Sequence, residues 1–308
     1  VIGLGDIAQK AYLPVITARD DVALVFCTRD RDALRRLADR YRVAETAIHV
    51  DALLDRKLDA AFVHTATDSH KAIATKLLQA NVPVYLDKPL AYSLDEARQL
   101  IDVAEERGQL LMVGFNRRFA PMYSQFQEQM KDHRLVIMEK NRLFLPDRAR
   151  RFIFDDFIHV VDTLRLLLPG AIRNVYISSH RQDGRLYQVA LHLESDGCTA
   201  IGVMNRDSGS VEETLEVMSP GNKWLVRGLN TTIHWANGEE RHHHFRDWET
   251  TLYRRGFPQI IDHFLECVRG RVAPRQSARD ALETHALCEQ IVRKIEGIEE
   301  GEAIAHDH

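Results

Sequence analysis

Lys88 stands in Tyr85-Leu86-Asp87-Lys88-Pro89, at the end of an apolar run and beside a carboxylate. An ammonium fixed there by the following proline can be aimed at a reacting centre, although a turn lysine on the surface is the plainer reading of an isolated Lys-Pro. A second group lies in Asp155-Asp156-Phe157-Ile158-His159-Val160-Val161-Asp162, where Asp155, His159 and Asp162 fall at i, i+4 and i+7. On a helix these three share one face. The rest of that stretch is apolar, so polar groups on it need partners or a purpose; a lone histidine there would more often be a satisfied core residue. The carboxylates and His159 are metal-ligand types, but the spacing is not that of a helical HExxH pair and no cysteine or second histidine completes a set, so no metal is expected. Proton removal from an alcohol during hydride transfer suits an imidazole, whose ordinary pKa is about 6.5.

The chain opens on Val1-Ile2-Gly3-Leu4-Gly5-Asp6-Ile7-Ala8, a G-x-G-x-x-A turn between an apolar strand and a helix. The first glycine permits the tight turn, the second lets backbone approach a pyrophosphate, and Ala8 allows close packing of helix on strand. Helix N–H groups then face the anion. Gly3, Gly5, Asp6, Ile7 and Ala8 are therefore candidate dinucleotide-binding residues. At the tip of the next strand, where a carboxylate accepting from the ribose of NAD is expected about 20 residues on, the chain reads Thr28-Arg29-Asp30. A hydroxyl and a guanidinium suit the 2′-phosphate of NADP, which is favoured; Asp30 leaves NAD open.

These residues need a frame that positions them. Up to about Gly114, apolar runs at 22–27, 60–65, 82–86 and 110–115 alternate with helical stretches at 30–41, 70–79 and 93–107. That alternation predicts a parallel sheet covered on both faces, with Ser93-Leu94-Asp95-Glu96 as a capping box and Gly108 as a C-cap. Beyond Pro121, short runs separated by Asp183-Gly184, Asp196-Gly197, Pro220-Gly221 and Asn237-Gly238 predict a mostly antiparallel sheet, preceded by a helix at 155–168 and followed by helices at 257–268 and 278–295. The fold class is α/β, an N-terminal Rossmann domain over 1–120 and a C-terminal α+β domain over 121–308, with a ligand expected in a cleft between them.

With 308 residues, 45% hydrophobic and 28% charged, the composition is that of a globular protein with a substantial core, and a net charge of −4 leaves no basic excess for a phosphate backbone. Nucleic acid is not an expected partner. Four separated cysteines form no CxxC pair and suggest a reducing compartment, the cytoplasm. No apolar run reaches the length of a membrane span, and no secretion signal opens the chain. Because Val1 already lies inside a strand pattern, preceding residues are expected.

On Gly3-Leu4-Gly5-Asp6-Ile7-Ala8, Thr65-Ala66-Thr67-Asp68-Ser69-His70, Asp87-Lys88-Pro89, Gly114-Phe115-Asn116-Arg117-Arg118-Phe119-Ala120-Pro121 and the Asp155/His159/Asp162 face, the chain resembles the glucose-fructose oxidoreductase, inositol dehydrogenase and rhizopine catabolism (Gfo/Idh/MocA) family. Within it the sequence looks most like the oxidoreductases named after the virulence factor MviM. The resemblance implies an NADP- or NAD-dependent oxidoreductase acting on a sugar, polyol or related small carbonyl or alcohol. It implies that Lys88 lies between nicotinamide and substrate, that His159 is the general acid/base, and that Asp155 orients substrate or imidazole. It further implies that Thr65, His70 and Asp87 line the cofactor side, with Arg117 and Asp162 on the substrate side. Three departures stand out: Asp87 for the usual glutamate, Ala66 for the usual proline, and Phe157 for the usual glycine, whose bulk bears on substrate shape. Two other readings keep the cofactor, a non-catalytic sensor or scaffold on the same fold and a glycosidase using NAD transiently. His242-His243-His244 reads as an exposed strand, Trp224, Trp235 and Trp248 as core or interface packing, and 301–308 as a frayed tail. Self-association through the antiparallel sheet is expected.

Overall fold

The computed structural model describes residues 1–129 and 132–298; the tail at 301–308 lies outside them. The chain forms two compact units, one of residues 1–116 with 256–283 and one of residues 117–255 with the segment from Thr284 onward. A single cut near residue 120 is therefore corrected, because 256–283 returns to the first unit. Aromatic packing accounts for the return: in the helix Phe257–Val268, Phe257 meets Tyr12 edge-on with ring centroids 5.2 Å apart, and Phe264 meets Phe62 at 5.0 Å and Tyr85 at 5.5 Å.

In the first unit, five short strands, Val25–Cys27, Glu45–Ala47, Ala61–Val63, Val84–Leu86 and Leu111–Val113, pair in parallel. Ile2 bridges Cys27 on one side and Val63 on the other, so the segment carrying the glycine loop is the centre of one sheet. The order 45–47, 25–27, Ile2, 61–63, 84–86, 111–113 is the doubly wound one, whose ligands bind beyond the carboxyl ends of the strands. Ala61–Val63, Val84–Leu86 and Leu111–Val113 are buried throughout, as apolar strands covered on both faces must be. Asp30 caps the helix Arg31–Tyr41 by accepting from the N–H groups of Asp32 and Ala33. The capping box does not form: Ser93 holds the N-cap position of Leu94–Glu106 without a side-chain bond, and Glu96 pairs with Lys71 at 3.7 Å. Gly108 does terminate that helix, at φ +59°.

The second unit is an eight-stranded sheet in the order Glu239–His244, Thr231–Ala236, Asn222–Arg227, Glu212–Ser219, Leu135–Asn141, Cys198–Asn205, Arg185–Ser195, Asn174–Gln182. It is antiparallel except where Leu135–Asn141 pairs with Cys198–Asn205. One face buries the helix Ile158–Leu167, and Gly202 permits the approach: a Cβ there would lie 2.6 Å from Val160 Cγ1 and 2.8 Å from Leu164 Cδ1. Glu239–His244 is exposed along its whole length, as its polar sequence predicts, and Trp248, at 95% exposure, is not a core residue. Among the described residues no helix is long and apolar enough to cross a membrane.

Candidate functional site

In the first unit the glycine loop has the form its sequence predicts. Gly3 adopts φ +85°, and a Cβ on it would stand 2.7 Å from both the His64 carbonyl carbon and the Thr65 nitrogen, so only glycine fits. Gly5 has nothing within 4 Å of its would-be Cβ, which leaves open space over the loop. Asp6 is exposed and pairs with Lys10 at 2.8 Å, and Ile7 is 43% exposed beside the gap, while Ala8 is buried against the sheet. A dinucleotide pyrophosphate fits this cradle of close backbone and empty space. The helix that follows opens as a π-turn, Ala8–Tyr12, in which the Leu13 N–H reaches back five residues to the Ala8 carbonyl.

At the neighbouring strand tip, Thr28 is half-buried and Arg29 exposed. Asp30, already committed through Oδ1 to capping its helix, is less available to a ribose diol than its position suggests. His70 is buried and clamps two loops, its Nδ1 lying 2.8 Å from the Pro89 carbonyl and its Nε2 3.0 Å from the Thr65 carbonyl. Ser69 donates to Thr65 Oγ1 at 2.9 Å. The Thr65–His70 and Asp87–Pro89 segments are thus brought together.

Beneath Lys88 lies a buried polar group that sequence reasoning missed. Asp87 accepts the Lys88 N–H at 3.1 Å and the Tyr12 hydroxyl at 3.3 Å on Oδ1, while its Oδ2 lies 3.3 Å from His64 Nδ1. Tyr12 and Tyr85 share a hydrogen bond of 3.0 Å, and Tyr12 stacks on His64 with centroids 3.8 Å apart. Burial, and then the Asp87 charge, push both phenols well above their ordinary pKa, and burial pushes His64 below its own. Burial also works to raise Asp87, but the His64 hydrogen bond, with the charges around it, outweighs that and holds its pKa below the ordinary value. One carboxylate thus sits among neutral donors, fixing the backbone from which the half-buried Lys88 projects. Gly114 belongs to the design: a Cβ would fall 2.9 Å from Tyr85 Oη, 3.1 Å from Tyr12 Oη and 3.2 Å from Asp87 Oδ1.

In the second unit the expected helix at 155–168 is a π-turn, Phe152–Phe157, running into the α-helix Ile158–Leu167; the Ile158 N–H reaches the Ile153 carbonyl. Asp155 is half-buried and His159 buried. Asp162, 1% exposed, faces the interior, where Arg118 holds both oxygens at 2.5 and 2.8 Å and Thr284 donates at 2.9 Å. Arg117 is likewise buried, in a two-point pair with Glu213 at 2.7 Å per bond. Both are therefore tied to neighbours within the unit.

Beside them, on the strand Leu135–Asn141, Lys140 is buried against Asp156, and Arg142 binds the same carboxylate at 2.8 and 3.0 Å. Burial, with the nearby Arg117 charge, brings Lys140 down to about 7. For Asp156 and Glu213, burial pushes up, but Lys140 and Arg142 around the one and Arg117 beside the other win and hold both below the ordinary carboxylate range. Lys140, Arg142, Asp156 and Glu213 were not found from sequence; the available signal was a lysine at the inward position after Val136 and Met138.

Residues 1–115 match the model of the GFO_IDH_MocA oxidoreductase family, an NAD-binding Rossmann fold, and residues 121–237 match the YceM-like C-terminal domain. The chain is 33% identical to the YceM protein of Salmonella typhimurium over 95% of its own length and 96% of that protein's. It is 24% identical to an inositol 2-dehydrogenase of Rhizobium meliloti over 96% of both. Among solved structures, the dehydrogenase MviM from Clostridium difficile superposes with a TM-score of 0.91 at 30% identity, covering 95% of this chain and 97% of that one.

Proposed function

We propose, from the premise that the chain belongs to the Gfo/Idh/MocA family of NAD-binding oxidoreductases, that it oxidises a secondary alcohol of a sugar or polyol, or reduces the matching carbonyl. The observation that carries the reading is the glycine cradle, closed to any side chain at Gly3 and open above Gly5, at the centre of a doubly wound sheet. Gly3, Gly5, Asp6, Ile7 and Ala8 hold the dinucleotide, with Thr65 and His70 shaping the adjoining loops. The bound nicotinamide supplies the hydride acceptor. His159 takes the hydroxyl proton, Lys88 stabilises the negative charge that develops on the oxygen, and Asp155 orients the substrate or the imidazole. Asp87 positions Lys88 through the network of Tyr12, Tyr85 and His64. Arg117 and Asp162 serve the substrate side by holding Glu213 and Arg118. Arg29, exposed at the strand tip while Asp30 caps a helix, supports NADP over NAD.

Titration with NADPH and NADH in parallel, followed by turnover on a polyol panel, tests the reading. NADPH binding more tightly, with Arg29→Ser removing the preference, is the expected result. Lys88→Ala and His159→Ala are each expected to lower turnover by about a hundred-fold or more while leaving cofactor affinity nearly unchanged. Near-normal turnover in both variants would sink the acid/base assignment.

A further inference from the structure

We propose that Arg206 anchors an anion-binding subsite in the second unit, and that the substrate carries a carboxylate or phosphate at the end remote from the reacting carbon. The proposal rests on the reading of the protein as a sugar or polyol dehydrogenase and deepens it. Arg206 is 8% exposed, and its Nε and Nη1 are sealed from solvent with no hydrogen-bond partner. Its guanidinium lies over the Phe152 ring, 5.1 Å from the centroid, and pairs with no carboxylate among the described residues. A guanidinium stays charged when buried, so an arginine with the three N–H donors of Nε and Nη1 sealed and unmatched is an unfinished site.

Its surroundings share that imbalance. The strand Cys198–Asn205 buries Cys198, Ala200, Gly202 and Met204 on its helix-facing side, and Arg206 continues that alternation. On the adjacent parallel strand, Lys140 and Arg142 face the same way, and the Arg142 N–H donates to the Asn205 carbonyl at 2.8 Å. These two cations share the single carboxylate of Asp156, and Arg117 has Glu213. Arg206 has no such counter-charge, so an incoming anion would complete the set, and a planar guanidinium matches carboxylate or phosphate in a two-point fork.

Its place fits a substrate group. Phe152, on which Arg206 lies, opens the turn that leads through Asp155 to His159. Seven residues of helix rise about 10 Å, a span that an extended six-carbon skeleton of about 6 Å approaches once the hydrogen bond of about 3 Å at its charged end is added.

Three probes on one carbon skeleton test this: D-glucitol, D-gluconate and D-glucitol 6-phosphate, each titrated into the full chain while thermal unfolding is followed. One of the two anions is expected to protect at concentrations at least ten-fold lower than glucitol, and which anion does so identifies the group. Arg206→Met is expected to abolish the preference and Arg206→Lys to keep part of it. Without probe, the Met variant is expected to unfold no lower than the parent, because removing an unpaired buried charge does not weaken the fold. Equal protection by all three probes, protection by none, or an anion preference surviving in the Met variant would overturn the proposal. Should the Met variant fail to fold, the parent's preference and the Lys variant decide. An anion preference without hydride transfer to either nicotinamide cofactor would retire the dehydrogenase reading and leave the subsite standing. Hydride transfer from glucitol as efficient as from both anions would do the reverse.

Discussion

The two units solve the burial of polar groups in opposite ways. Under Lys88 the first unit keeps one carboxylate, Asp87, among two phenols and an imidazole that stay uncharged, so its interior is a hydrogen-bonded cluster with a single charge. Near His159 the second unit buries full charges in pairs, Arg117 with Glu213, Arg118 with Asp162, and Lys140 and Arg142 with Asp156. The contrast matches the roles proposed for the two units. A dinucleotide is met largely by backbone, for which glycines and a sheet edge suffice; a small hydroxylated substrate has to be told from its neighbours, and that takes directed side chains. Each unit nonetheless has a π-turn in the segment that carries its own candidate residues, Ala8–Tyr12 in the first and Phe152–Phe157 in the second.

The contrast breaks most visibly if one carboxylate in each unit is neutralised. Asp156→Asn leaves Lys140 and Arg142 without their shared counter-charge and is expected to cost about 3–5 kcal/mol in chemical denaturation. Asp87→Asn keeps an acceptor for Tyr12 and the Lys88 N–H and turns an N–H donor towards His64 Nδ1, which a neutral imidazole accepts in its other tautomer, and is expected to cost about 1–2 kcal/mol. Equal losses would mean that the charged cluster is no more demanding than the neutral one. A pair of glycine variants sharpens the same comparison. Gly202→Ala drives a methyl into Val160 and Leu164 and is expected to lower stability by about 1–3 kcal/mol without altering cofactor affinity, whereas Gly5→Ala, with open space around it, is expected to leave the melting temperature alone and weaken binding of the nicotinamide dinucleotide.

Acid should expose the smallest effect. Asp87, Asp156 and Glu213 all titrate lower in the fold than in the unfolded chain, whose ordinary values are 3.8 for aspartate and 4.5 for glutamate. The unfolded state therefore binds more protons in this range, and the stabilisation is complete above about pH 4.5 and drains as the pH falls towards 2. Denaturation curves across that window are expected to show a shallower acid limb in Asp156→Asn than in Asp87→Asn, since Asp156, held between Lys140 and Arg142, is the more strongly lowered of the two carboxylates removed.

Much of the first unit was legible in the sequence because its determinants are local. A glycine turn, alternating strands and helices, and Asp87-Lys88-Pro89 each sit within a few residues of what they act on. What stayed hidden there was Tyr12, His64 and Gly114, whose role appears only when neighbouring strands pair. In the second unit the antiparallel sheet and the Asp155–His159 stretch were legible, but the strand Leu135–Asn141 was not, because it carries a lysine and an asparagine at its buried end. Lys140 meets Glu213 across strands distant in the chain, at paired positions of the ladder, and Arg206 comes beside Arg142 through a parallel pairing that no local pattern announces. Ser93 shows the converse, a local capping signal that the fold leaves unused.

The π-turn ahead of His159 stores one extra residue without disturbing the alignment of its flanks. A π-turn holds one residue more than the α-turn it replaces, so deleting any one residue between Phe152 and Phe157 would let the helix close as an ordinary α-helix, with its backbone bonds intact. Five residues at about 4.4 per turn sweep nearly the same angle as four at about 3.6 per turn, so the flanks would keep their alignment: the Phe152 ring would stay on the side where Arg206 lies, and only the residues of the turn itself, Asp155 among them, would lose a place. An insertion or deletion here is thus a route by which relatives of one fold change what the turn displays beside position 159 while both flanks stay in register.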